Sequence, residues 1–364
     1  MDIPINHHVV PRLYLTGFSS DSQGKYIFQY TLGQSYVPSI SQPGFRSNSS
    51  PAHLSIKSQA GIIPGIYSFT SLNGTHDIAG IEPKLARLER YSDRILQILQ
   101  GRPNPINKFA LNPLTRYQKA TFAVYINLMI NRTPLAKIRG EETWAPSKGG
   151  KKAFNNTQLF VIQWAKYIKE NAYTESDQYI KVIRDFTLSR ASSGRNYYMS
   201  SNDLMLSRLE ASGTVKDFLL YSEFITREDL PDFAYTFFVA NNSHFHAKWL
   251  RKMRWTYLVA PPGSHVVTCD NPVALVNKIP VWSSKTELTL PITSRLALLC
   301  SWHYDLPEGY VVATPAVVAE VNHRTIFNAS QWVFASEDRK SIADAIESRS
   351  GAQQWIYDML TEHS

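Results

Sequence analysis

Cysteine is scarce: the 364-residue chain holds two, Cys269 and Cys300. They form no CxxC pair, which excludes a cysteine-ligated zinc site. So low a thiol content fits a reducing compartment and rules out a disulfide framework. Long apolar runs are missing too. No run of about 18 apolar residues occurs, so no membrane-spanning helix and no membrane partner are expected. No basic segment followed by an apolar one opens the chain, so no signal peptide is expected and the cytoplasm is the expected location. A glycine-rich phosphate loop and βαβ alternation are both lacking, which argues against P-loop and Rossmann folds. There is no GxSxG element, and each cysteine sits inside an apolar, strand-like run. Serine and cysteine hydrolase chemistry are therefore disfavoured. Internal repeats and low-complexity tracts are absent.

What remains is a well-cored globular composition, 43% apolar and 19% charged. Aromatics are plentiful, with 19 Tyr and 8 Trp, so many hydroxyls and indole N–H groups need partners. The net charge of +8 favours anionic partners, nucleic acid among them.

The chain reads as one unit over 1–364 with four sub-regions. Residues 1–75 read as strands and loops, with KYIFQYT at 25–31 as a strand and a Ser/Pro/Gly-rich loop at 35–50. Residues 82–254 form a helical body. Its clearest helix is 82–100, where Leu85, Leu88, Ile95, Leu96 and Leu99 share one face. A second, 114–131, is apolar nearly all round and should be buried. A polar, basic connector follows at 136–152, then helices near 155–171, 175–190, 202–212 and 214–225. Residues 255–335 are β-rich, with short runs at 255–260, 264–269, 287–292, 295–302 and 309–314, a helix at 316–330 and a WVFAS strand. An amphipathic helix closes the chain over 338–364. The fold class is α+β: a helical body packed on an antiparallel sheet formed by N-terminal and C-terminal segments.

Four patterns occur in order: NHHVVPRLYLTGF at 6–18, EPKLARLE at 82–89, INRTP at 130–134, and VVTCDNPV at 266–273 followed by LTLPITSRLALL at 288–299. Together they resemble the bacterial family catalogued as domain of unknown function 4238. The resemblance covers most of the chain and implies one family unit. It implies no activity.

The segment His7-His8-Val9-Val10-Pro11 also resembles the opening of HNH nucleases. That resemblance implies His8 as general base and His7 as ligand of a divalent metal ion. The rest of the motif departs from the pattern: Asn48 and His53 stand where an orienting amide and a second ligand would be needed, at an unusual spacing. The bland account is that both histidines anchor an N-terminal strand. Asp270, in Thr268-Cys269-Asp270-Asn271-Pro272, ends an apolar run. It could ligate the metal or orient His8 as a second catalytic group, so the two segments are expected to converge on one cleft. Its bland account is an Asx turn.

In HFHAKWLRKMRW (244–255), a helix would put Lys248, Arg251, Lys252 and Trp255 on one face, suited to a phosphate backbone and a stacked base. Arg12 adds a further cation for nucleic acid. Glu89 and Arg132 are expected to form a structural ion pair. Three readings stay open: a nucleic-acid-acting protein, in its sharpest form a metal-dependent phosphodiesterase; a non-catalytic binding or regulatory protein with a structural His pair; and a small-molecule pocket lined by Tyr and Trp.

Overall fold

The computed structural model describes residues 6–32, 51–64, 81–101, 113–134, 136, 247–279, 281–348 and 353–361. The helices expected between 155 and 225, the loop at 35–50 and almost all of the connector at 136–152 lie outside these residues. The chain divides into two compact units, one of residues 1–66, 83–136 and 243–364, the other of 67–82 and 137–242. Apart from the first two residues of one helix, everything described below belongs to the first unit.

Strand β1 (Asn6–His8) pairs antiparallel with β4 (Ile62–Pro64). Helix α1 (Arg12–Thr16), β2 (Tyr26–Thr31) and β3 (Ala52–Ser55) lie between them in sequence. A four-stranded antiparallel sheet runs β3-β2-β11-β6, where β6 is Thr268–Cys269 and β11 is Trp332–Ala335. The register Trp332↔Thr31 joins the two ends of the sequence in one sheet, which is the α+β arrangement the pattern implies. Beneath it, Tyr30, Val267, Cys269, Val333, Ile342 and Ile346 belong to one buried apolar cluster.

A five-stranded sheet runs β10-β5-β9-β8-β7, built from β5 (Arg254–Val259), β7 (Ala274–Leu275), β8 (Glu287–Thr293), β9 (Leu296–Ser301) and β10 (Gly309–Val312). Every residue of β8 and β9 is buried: β9 is a nearly continuous apolar run, whereas β8 alternates Leu288, Leu290 and Ile292 with the buried Glu287, Thr289 and Thr293. Here the sheet departs from a purely antiparallel one: β10 lies parallel to β5. β9 is already flanked by β8 and β5, so the next strand takes the open edge of β5.

The helices follow their sequence signals. α2 (Ile81–Gln100) buries Leu85, Ile95, Leu96 and Leu99. α3 (Arg116–Asn131) starts on a capping box, Thr115 accepting from the Gln118 amide while Gln118 returns the bond. α4 (Ala247–Leu250) is a single turn, and α5 (Pro315–Asn328) is capped by Thr314 with Pro315 at its first position. The closing helix is not continuous. It comes as α6 (Lys340–Glu347) and α7 (Ile356–Thr361), and Gly351 falls between them.

α1 is pressed against β8. Tyr14 donates to the Pro291 carbonyl at 2.6 Å, and Ser294 N–H donates to the Gly17 carbonyl at 2.8 Å. A Cβ on Gly17 would sit 2.5 Å from the Ile292 carbonyl oxygen, so only glycine permits this approach. Among the described residues no helix is long and apolar enough to cross a membrane.

Candidate functional site

The N-terminal histidines are tethered by β1. His7 is buried. His8 Nε2–H donates to the Lys57 carbonyl at 3.3 Å, which leaves the lone pair on Nδ1. Nδ1 is itself buried and closes no hydrogen bond. The His8 carbonyl accepts from Arg132 Nη2 at 2.8 Å. Burial lowers the His8 pKa to about 4, helped by the Arg12 and Arg132 charges and opposed by the Lys57 and Ala60 carbonyls. The imidazole is therefore neutral at physiological pH. Arg132 also forms an ion pair with Glu89, which links the C-terminus of α3 to α2. His53 is committed elsewhere: its Nε2 bonds Ser20 Oγ at 2.8 Å and its ring stacks on Phe28. Asn48 lies outside the described residues.

Asp270 serves a buried backbone turn. Its side chain is fully buried, and both oxygens accept backbone amides, Oδ1 from Ser330 and Oδ2 from Gln331, each at 2.8 Å. Its own N–H donates to the Trp332 carbonyl. Asn271 and Asn328 exchange further bonds across the same gap. The chain leaving α5 has to turn into β11, and the carboxylate satisfies the amides exposed by that turn. No hydrogen bond joins Asp270 to either ring nitrogen of His8. Burial pushes the Asp270 pKa up to about 6 despite the amide bonds. Among the described residues no group of three or more His, Cys, Asp or Glu is placed to hold a metal ion.

The basic segment needs a correction. Trp255 begins inside β5, not on a helix with Lys248, Arg251 and Lys252. It is fully buried, its indole N–H donates to the Leu250 carbonyl at 2.9 Å, and Phe122 and Lys119 cover its ring. No base can reach it. The reason is the shortness of α4, which ends at Leu250 and lets the chain enter the sheet four residues later. The accessible aromatic is Trp249, half-buried on α4. Lys248 Nζ stands 5.1 Å and Lys252 Nζ 5.6 Å from its ring centroid. The Trp302 ring meets it edge-on at 6.4 Å. Lys248, Arg251 and Lys252 are exposed, as is Arg12 on α1. His244 and His246 lie outside the described residues.

The family described as "Protein of unknown function (DUF4238)" matches residues 6–339. The chain belongs to this family. No curated protein and no solved structure matches it. In this DUF4238 protein the matched span contains the His pair, the Asp270 turn and the Trp249 face.

Sequence reasoning missed a buried charged network at the C-terminal end of this DUF4238 chain. Arg324 donates to Glu287 at 2.9 Å and to Glu320 at 3.0 Å, all three being buried. Glu287 also accepts the Ile356 and Tyr357 amides, and so caps α7; Glu320 accepts the Gln354 amide. Arg324 donates in turn to the Gln354 carbonyl. The i,i+4 spacing of Glu320 and Arg324 was the available signal. Glu287, a charge opening a strand that is buried throughout, was the other.

Proposed function

We propose that this protein binds nucleic acid on the face around Trp249, with Lys248, Arg251 and Lys252 taking the phosphate backbone. The observation that carries the reading is the pair of exposed lysines, Lys248 and Lys252, over a half-buried indole, with the exposed Arg251 beside Lys252 in sequence. The net charge of +8 supports it, because long-range attraction brings polyanions to a basic surface. The direct test is retention of labelled oligonucleotides by the wild type and by the double variant Lys248→Glu, Lys252→Glu. Retention by the wild type and its loss in the variant support the reading. Equal retention by both proteins rejects it.

A second reading, divalent-metal-dependent cleavage of a bound phosphodiester with His7 as ligand and His8 as base, is favoured by one observation. His8 stays neutral and holds an uncommitted ring nitrogen beside Arg12 and Arg132. That nitrogen is buried, so the ring would have to leave the Lys57 carbonyl to act, and further metal ligands would have to come from outside the described residues. Cleavage that is abolished by a chelator and by His8→Ala supports this reading. Cleavage that survives His8→Ala, or none in the presence of divalent cation, removes it.

A further inference from the structure

We infer that the nucleic acid accepted on this face is single-stranded, with an unpaired base stacking in the corner between Trp249 and Trp302. The inference deepens the nucleic-acid reading and rests on it.

The corner is built and held open. Trp302 is fixed by its indole N–H, which donates to the Val281 carbonyl at 3.0 Å, so its ring cannot swing inward. Trp249 meets it at an interplanar angle of 69°. At that angle the edge of one indole meets the face of the other, so the two faces of the edge-on ring stay clear of its partner. Two aromatics close to these residues in sequence are exposed: Trp282, which follows Val281, at 49%, and Tyr304, two residues after Trp302, at 81%.

Single-strand surfaces combine such faces with cations that track the backbone. A duplex offers phosphates but keeps its base faces stacked on one another, so it can use the lysines and not the indoles. In the free protein Lys248 and Lys252 lie over Trp249 as cation–π partners. A base arriving on that ring displaces an ammonium group, and its own phosphate receives the displaced charge. The contact the base replaces is thus repaid by an ion pair, which a neutral aromatic ligand cannot supply. The charge complementarity favours a nucleic acid strand over an apolar peptide: the two lysines over the indole, Lys248 and Lys252, are cationic and exposed, as is Arg251 next to Lys252 in sequence.

The test is fluorescence anisotropy with labelled oligo(dT) of about 12 nucleotides and with a hairpin duplex of equal length, on the full chain. The expected result is tighter binding of oligo(dT) than of duplex. Trp249→Ala should weaken oligo(dT) binding about tenfold, clearly more than it weakens duplex binding, whereas Trp249→Phe retains most of it. Circular dichroism of each variant separates loss of binding from loss of fold, and the Phe variant keeps the test valid if the Ala variant does not fold. Duplex bound as tightly as oligo(dT), or oligo(dT) bound equally by wild type and a folded Trp249→Ala, overturns the inference while leaving backbone binding in place. Absence of salt-sensitive binding to either nucleic acid overturns the underlying reading as well.

Discussion

Replacing Asp270 by Asn tests whether that carboxylate belongs to a buried turn or to a reacting site. In the folded chain burial moves its pKa from 3.8 up to about 6. A folded-state pKa above the unfolded one means that the native state holds its proton more tightly. The stabilisation from that proton is complete below about pH 4 and is lost as pH rises through about 6. A shift of about two units corresponds to about 3 kcal/mol in total, of which about 2 kcal/mol falls between pH 4.5 and 7.5. Asn keeps an acceptor for one of the two amides and removes the titration. Urea denaturation of wild type and Asp270→Asn over that range therefore has a defined outcome. Wild-type stability should fall relative to the variant by about 2 kcal/mol as pH rises, other titrations cancelling in the comparison. A difference that stays flat, or that moves in favour of the wild type at high pH, would refute the reasoning. It would mean that the Ser330 and Gln331 amides outweigh desolvation and hold the carboxylate ionised.

Arg132→Met strands the Glu89 carboxylate and leaves the His8 carbonyl without its donor. It should cost about 3 kcal/mol in chemical denaturation, and a loss below about 1 kcal/mol would show the pair to be dispensable. Gly17→Ala puts a methyl 2.5 Å from a backbone oxygen that cannot yield without moving β8. A loss of about 2 kcal/mol or more, seen as a lowered thermal midpoint, is expected, and an unchanged midpoint contradicts the close approach. Thr115→Ala removes the cap of α3 and should cost about 1 kcal/mol by the same measurement.

The parts of the fold legible in the sequence were those carried by local pattern. The apolar face of 82–100, the nearly all-round apolar run ending at 131, and the short strand-like runs at 287–293 and 296–301 each specify an element without help from elsewhere. An antiparallel sheet joining N-terminal and C-terminal segments was expected from the order of elements, and the structure supplies the strands that form it, β2 and β11. What local pattern could not give was the destination of polar side chains. Asp270 looks the same in sequence whether it faces a cleft or two buried amides, and only the turn after α5 decides between them. Trp255 continues a helical spacing that α4 abandons after one turn, because the strand it enters gains sheet hydrogen bonds and burial. Trp249 went unnoticed for the converse reason: its two lysines reach it by side-chain length, and Trp302 approaches from a distant strand end.

The central claim, that polyanions bind at the Trp249 face, is tested most directly by the salt dependence of binding. The logarithm of the association constant for oligo(dT) should fall linearly with the logarithm of salt concentration. Each lysine that neutralises a phosphate contributes about 0.7 to the slope for a single strand. Lys248→Glu combined with Lys252→Glu should therefore flatten the slope by about 1.4 or more and weaken binding at every salt concentration. A wild-type slope near zero, or a double variant with the wild-type slope, would contradict the account.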